Sequence, residues 1–423
     1  MKVIKAKKIT LLLFIILTVS IVSFTPVFSA ERVILTYWNG FTGPDRPILE
    51  ELVKKFNETH PNIQIKMDIM PWDSFYQKLL PAYTVGKGPD IAAFATERIA
   101  QYAKAGVIVP IDDLYNKKII DKTTIVQSLV DNLKWNGKFY GAPMNFATLL
   151  LYYNKDLFKE AGLDPERPPE NWKELQEYAL KLTKDIDKDG KVDQYGFVVA
   201  VKETIPMWPI LIWGNNGDFI SKDGSRAVIN SKETVEAVSV WAELIIKHKI
   251  SPIGLTGAEC DKLFETKKAA MYFCGPWMTN GFTKAGLNFD TAPVPAGPKR
   301  RVTLGTGVAM VLAKSCKYKQ AAYEFFKFWN SKESQIYWAL GTGFPPTRVD
   351  IGNVPEFNQN PFISKFAAAA SYSKFYLQGL TRFQEIDVDV ITPALEEILN
   401  ERKSVQRALD DAAAKINKIL REN

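Results

Sequence analysis

Histidine is nearly missing from this chain: 423 residues hold two, His60 and His248, beside three cysteines, Cys260, Cys274 and Cys316. Two histidines in helical or helix-end contexts leave no His-based zinc site and no Ser-His-Asp set. Three thiols allow one bridge at most. Cys260–Cys274 could pair outside the cytoplasm, and buried free thiols fit equally well. The patterns G-x-S-x-G, G-x-x-x-x-G-K-[ST] and H-E-x-x-H are absent too, so a catalyst built from this chain would work with carboxylates alone. Long apolar runs are also scarce. The one that stands out, Ile9–Phe24, is short for a membrane span.

That run follows Lys2, Lys5, Lys7 and Lys8 and precedes Pro26-Val27-Phe28-Ser29-Ala30. A basic head, a short apolar middle and a small-residue end predict a secretory signal peptide over residues 1–30, cut after Ser29 or Ala30. No cysteine lies near the cut, so no lipid anchor is indicated. Four of the 54 basic residues and none of the 47 acidic ones leave with the leader, which lowers the net charge from +7 to +3. So weak a balance argues against nucleic acid as a partner. The rest is globular in composition, 46% hydrophobic and 24% charged, and long enough for two domains with their own cores.

The mature chain opens on a strand, "RVILTYW", and a helix, "RPILEELVKKFNETHP", with Ile48, Leu49, Leu52, Val53 and Phe56 on one face. A second strand "NIQIKMDIM", a helix "WDSFYQKLLPAYTVG", a strand "DIAAFAT" and a helix "ERIAQYAKAG" follow. Strands alternating with helices of this length predict βαβ units and a parallel sheet covered on both faces. Asn136-Gly137 signals a hairpin turn. After "TLLLYYN" the pattern is largely helical, with apolar strands returning at "AAMYFC" and "GVAMVLA".

Six ordered segments resemble the extracellular solute-binding proteins of ABC importers, the branch that takes sugars and glycerol-3-phosphate. They are "LTYWNGFTGPDRPILEELVKKFNETHPNIQIKM", "GKGPDIAAFATERIAQYAKAGVIVPIDDL", "YGAPMNFATLLLYYNKDLFKEAGLDPERPPENWKELQEYALKL", "AAMYFCGPW", "GTGVAMVLA" and "ALGTGFPPTR". The resemblance spans essentially the whole mature chain. It implies a type II periplasmic-binding-protein fold: two α/β lobes with a hinge and a central ligand cleft. Residues 31–145 with about 304–345 would form one lobe, and 146–303 with about 346–423 the other. Crossovers would fall near Asn145-Phe146, near 298–304 and around Phe344-Pro345-Pro346.

Trp277 is the sharpest site candidate, a large ring placed just after the apolar strand Met271-Tyr272-Phe273-Cys274 and the stop Gly275-Pro276. An indole there can cover the apolar face of a sugar, and the "GPW" segment is similar to the family's sugar-stacking tryptophan. The resemblance implies further ligand contacts one by one. Trp38, Asn39 and Phe41 match the first binding loop, where Asp45 either lies near the ligand or caps the following helix. Trp72 and Tyr76 open the second helix, one expected at the cleft and the other packed. Phe94 and Glu97 match a ring and a hydroxyl-accepting acid of maltose-type binders. Asn145 sits at a crossover, and Glu203 and Trp208 match an acid and a ring in "ETIPMWP". Trp213 is a further element-end ring, and Gly305 and Thr306 would offer backbone and hydroxyl groups. Phe344 and Arg382 fall near an aromatic and a basic residue of the glycerol-3-phosphate binders. Against those same binders this chain has Phe75, Thr96 and Phe146-Ala147 in place of hydroxyl or acidic groups, which favours a neutral or weakly charged sugar over a phosphate.

"DIDKDGKVD" begins like a calcium loop through Asp185, Asp187, Asp189 and Asp193, but Gly196 stands where a bidentate glutamate belongs, so a solvated acidic turn is the better reading. No other cofactor is expected. The expected protein is a periplasmic or otherwise extracytoplasmic monomer that captures a mono- or oligosaccharide by hinge closure, breaks no bond, and delivers it to the transmembrane subunits of an ABC permease. The rivals are a glycerol-3-phosphate or glycerophosphodiester binder of the same family, a secreted glycoside hydrolase using Glu97 and Glu203, and an interaction protein with an exposed aromatic patch.

Overall fold

A computed structural model describes residues 32–202 and 207–422. The leader and Glu203 therefore lie outside the described residues. Strands Val33–Asn39, Ile63–Ile69 and Ile91–Ala95 pair in parallel with the first of them central. Helices Arg46–Thr59 and Trp72–Thr84 make the two connections. Of the stripe that its spacing predicts, the first helix buries Leu49, Leu52, Val53 and Phe56 and leaves Ile48 half-buried. The hairpin turn falls where Asn136-Gly137 places it: both residues have positive φ, 46° and 75°, between two-residue strands that pair antiparallel. That is the backbone a tight hairpin needs.

The sheet then departs from the parallel expectation. Strand Thr303–Leu312 runs antiparallel to Ile91–Ala95 and to Gly141–Thr148, and parallel to Ser373–Phe375, completing six strands. Helical segments join the first three strands and also lead from Thr303–Leu312 to Ser373–Phe375, the connection a parallel pair needs. The second sheet has three strands, Met271–Cys274, Leu150–Asn154 and Phe289–Ala292, with the middle one antiparallel to both neighbours.

Two large cores accompany the two sheets. One gathers Leu35, Phe56, Phe94, Phe146, Met310, Trp329 and Trp338; the other Leu150, Phe197, Trp208, Trp241, Phe273, Phe366 and Leu409. Gly141–Thr148 and Leu150–Asn154 are consecutive strands lying in different sheets, so the chain passes between lobes within a residue or two of Leu149. It returns at Thr303, whose hydroxyl donates to Leu149 O at 2.7 Å. These two passages lie side by side. Phe375, in the edge strand of the first sheet, packs on the first core although its sequence neighbours Tyr376 and Leu377 belong to the second. Among the described residues no helix is long and apolar enough to cross a membrane.

Candidate functional site

A cavity of about 620 Å³ opens between the lobes. Tyr76 and Gln77 line it from the second helix, and Glu97, Arg98 and Gln101 from the turn and helix after Ile91–Ala95. Lys202, Tyr376, Phe383, Gln384, Asp387 and Glu396 close it from the other lobe, while Leu304 and Thr306 come from the long antiparallel strand shared by the sheet. Ala95, Glu97 and Arg98 stand at or just past the carboxyl end of a parallel strand, which is where open sheets place ligand sites, and Leu304 and Thr306 reach the same edge from the amino end of the antiparallel strand.

Glu97 is the most constrained charge on this wall. It is buried in a short 3-10 turn at the end of Ile91–Ala95. Burial pushes its carboxyl up from the ordinary 4.5 to about 7, opposed by hydrogen bonds from the Glu97 backbone and the Thr306 and Thr96 hydroxyls and by the nearby Arg98 charge. Asp387 is also raised by desolvation; the Tyr376 hydroxyl, which donates to it at 2.8 Å, and Arg98 work the other way. Tyr76 accepts the Ala95 N–H at 3.2 Å through its hydroxyl. Lys202 lies 3.5 Å from Glu396. The wall thus offers carboxylates, hydroxyls and amides beside four aromatic rings, Tyr76, Tyr102, Tyr376 and Phe383.

Of the residues singled out in the sequence, Tyr76, Glu97 and Thr306 stand on the cavity wall. A second group forms a chain of rings that runs from the cavity wall through the first core to Trp277. Tyr76 stacks on Trp72 at 5.6 Å, Trp72 meets Phe41 edge-on at 5.3 Å, and Phe41 meets Trp338 at 5.8 Å. Trp338 then lies 5.6 Å from Phe344, and Phe344 6.2 Å from Trp277. Trp277 is half-buried and packs against both cores, so it sits between the halves rather than inside one. Its indole folds back over Gly275, where a Cβ would come within 1.8 Å of the ring. The stop "GP" before the tryptophan is therefore what lets the ring lie across its own backbone. Trp72 lies over Gly40 in the same manner, 2.0 Å from a built Cβ.

The remaining candidates are held elsewhere. Trp38 and Asn39 end the first strand instead of following it; the Trp38 indole donates to Asp68 on the neighbouring strand at 3.1 Å, and Asn39 Oδ1 accepts from Phe41 N. Phe94 is fully buried against Tyr102, at 4.6 Å, in a strand whose two faces are both covered. Asn145 accepts Val308 N at 2.9 Å beside a bulge in the strand pairing. Trp208 is fully buried in the second core, and Trp213 is pinned there by its indole bond to Asp218 at 3.0 Å with the Lys374 ammonium over its ring. Gly305 lies against Ser373 and Phe375. Arg382 forks onto Glu385 and reaches Glu422 at 3.1 Å, tying the C-terminal helix to its own lobe. Asp45 does not cap the helix: its carboxyl makes no capping bond, Oδ1 is buried without a partner among the described residues, and burial raises it to about 7. Phe75, Phe146 and Ala147 are core residues.

Sequence reasoning passed over Arg98, Tyr376, Phe383, Gln384 and Asp387. The last four lie in "FYLQGLTRFQEID", whose signal was there to see: aromatic and amide residues in an irregular, Gly-containing stretch before a helix. Cys260, Cys274 and Cys316 are free thiols, in no disulfide. Asp185, Asp187 and Asp193 bring oxygens within 4.8 Å of one another, all exposed, and Asp189 is not among them. Backbone N–H groups of the loop itself fill much of their bonding, for instance Ile186 N to Asp193 at 2.7 Å and Gly190 N to Asp185 at 2.9 Å.

This architecture recurs in solved structures. An ABC transporter solute-binding protein from Thermotoga lettingae TMO, bound with alpha-D-tagatose, superposes with a TM-score of 0.84 over 92% of this chain and 100% of that one, at 23% identity. A binding protein of Brucella abortus (strain 2308) is 26% identical over 92% of this chain and 93% of its own length. The sn-glycerol-3-phosphate-binding periplasmic protein UgpB of Escherichia coli (strain K12) is 24% identical over 92% of each chain. The fold is that of the type II periplasmic binding proteins. Residues 42–336, well over half the chain, match the model of the bacterial extracellular solute-binding proteins, and the chain belongs to that family.

Proposed function

We propose that this protein is the exported solute-binding component of an ABC importer, that it closes on a carbohydrate, and that it hands the sugar unchanged to the transmembrane permease. The observation that carries the reading is the composition of the cleft wall. A cavity of this size suits a small polyol, and its polar groups suit hydroxyls. Glu97 and Asp387 accept, Thr306, Gln77 and Gln101 both donate and accept, and Tyr376 adds a ring beside Tyr76 and Phe383, whose faces Arg98 already covers on one side. Trp277 adds a half-buried ring that packs against both cores. Sugar hydroxyls donating to Glu97 would offset its desolvation, and a wrong hydroxyl pattern would leave that carboxyl unpaired in a dry site.

Charge favours a sugar over a phosphate. Among the described wall residues, Asp73, Glu97, Asp387 and Glu396 stand against Arg98 and Lys202. Lys202 faces Glu396, and Arg98 is occupied by two rings and an amide. A phosphate asks for free donors of positive charge, and an anion beside a carboxyl already raised to about 7 would raise it further. The glycerol-3-phosphate reading, which the E. coli relative suggests, fares worse on this ground. Against a hydrolase, which would pair Glu97 with a second acid across the scissile bond, stands the matched family, whose members are named as binders.

We further propose that the lobes hinge at the paired passages near Leu149 and Thr303 and that the ligand favours closure by touching both lobes. The leader over 1–30 would direct the chain outside the cytoplasm. A thermal-shift screen of the mature protein against sugars and sn-glycerol-3-phosphate tests the reading: a sugar should raise the melting temperature and be recovered intact. Cleaved product, or stabilisation by the phosphate alone, would overturn it.

A further inference from the structure

The cleft contains a contact between lobes that needs no ligand. Arg98 leaves the turn after strand Ile91–Ala95 with its guanidinium carbon 3.8 Å from the centre of the Tyr76 ring and 4.8 Å from that of Phe383. Tyr76 packs on the first core, whereas Phe383 belongs to the second. On the same side as Phe383, Gln384 Oε1 accepts from Arg98 Nη1 at 2.8 Å. One cation is thus gripped by a ring from each lobe and by an amide from the far lobe. Guanidinium suits this place because it is planar, delocalised and weakly hydrated, so it stacks between rings where an ammonium would keep its water. Carboxylates flank it from both lobes, and its charge acts on Glu97 and on Asp387 alike.

We propose that Arg98 is a positioning residue for binding: it clasps the lobes across the cleft and stabilises the closed arrangement in the ligand-free protein. Opening must strip Phe383 and Gln384 from the guanidinium. The apparent affinity of any cleft ligand scales with the population of the competent state. Weakening the clasp from the far lobe therefore lowers affinity by one common factor, whatever the ligand's chemistry. A contact made only to the ligand would act differently on different sugars.

Small-angle scattering of the ligand-free mature protein tests this without any sugar, so it can fail independently of the carbohydrate reading. Gln384→Ala, Phe383→Ala and Arg98→Met should each give a larger radius of gyration than the parent. Gln384→Ala removes a half-buried amide and leaves the core intact, so it decides the matter if Phe383→Ala fails to fold. Titrations with two sugars that bind the parent should then show equal losses for both in Gln384→Ala, about fivefold or more. Adding Gln384→Ala to Arg98→Met should cost less than it does alone, because the pair shares one interaction. An unchanged radius of gyration in Gln384→Ala overturns the proposal. So do losses that differ between the two sugars, or full additivity in the double variant.

Discussion

Replacing Glu97 by glutamine should make the protein more stable and a poorer binder, with the first effect confined to one side of a pH window. The carboxyl moves from 4.5 to about 7 on folding, chiefly through desolvation. Below about pH 4.5 it is protonated in folded and unfolded chains alike, and Glu97→Gln changes little there. As pH rises toward 7 the unfolded chain ionises first and the folded chain loses stability. Above about pH 7 the whole cost is present. At 1.36 kcal/mol per pKa step, the cost is about 3 kcal/mol, an upper figure because the glutamine amide must itself find partners. Urea unfolding of parent and variant at pH 4, 6 and 8 measures it. The gap should be near zero at pH 4 and widen in favour of the variant by pH 8. In the same variant a sugar loses a charge-assisted hydrogen bond, worth about 1.5–3 kcal/mol, so affinity at pH 8 should drop roughly tenfold to hundredfold. Asp45 at about 7 and Asp261 at about 6 titrate in the same window, which is why the comparison is between variant and parent. A variant less stable than the parent at pH 8, or one that binds every sugar equally well, would refute the reasoning.

Gly275→Ala should imitate the loss of Trp277 without removing the ring, because a Cβ placed 1.8 Å from the indole forces it off its backbone seat. Calorimetric titration should find both Gly275→Ala and Trp277→Ala weaker for sugar by about tenfold, and undiminished affinity in either would count against ring placement as the cause. Arg382→Ala should leave sugar affinity unchanged and lower stability by about 1 kcal/mol or less, since its partners are Glu385 and Glu422 of its own lobe. A selective loss of binding in that variant would return Arg382 to the cleft.

The helices and strands of the first lobe were legible because each buries one stripe or one face of fixed period, as Leu49, Leu52, Val53 and Phe56 do. The half-buried place of Trp277 against both cores was legible for a related reason: an indole after a strand and a Gly-Pro stop has no place in that strand's own pattern. Phe94 was not separable from a cleft residue, since Ile91–Ala95 is covered on both faces and alternation then says nothing about which ring faces a ligand. Arg382 matched a basic position of the family, but its partner Glu422 lies 40 residues on, and no local pattern announces such a pair. The same holds for Arg98, Phe383 and Gln384, which meet across 286 residues of chain. Antiparallel pairing by Thr303–Leu312 was likewise hidden, because an apolar run gives length and burial but not direction. The cleft is the part of this fold made by long-range meetings, and so it is the part least written into any short stretch.

Calorimetric titration of the mature protein with a panel of mono- and oligosaccharides and sn-glycerol-3-phosphate, with mass spectrometry of the ligand recovered afterwards, tests the central claim most directly. The account predicts one sugar bound per chain, recovered whole, and no heat from the phosphate. Saturable binding of sn-glycerol-3-phosphate with silence from every sugar, or a recovered glycan cut at a glycosidic bond, would contradict it.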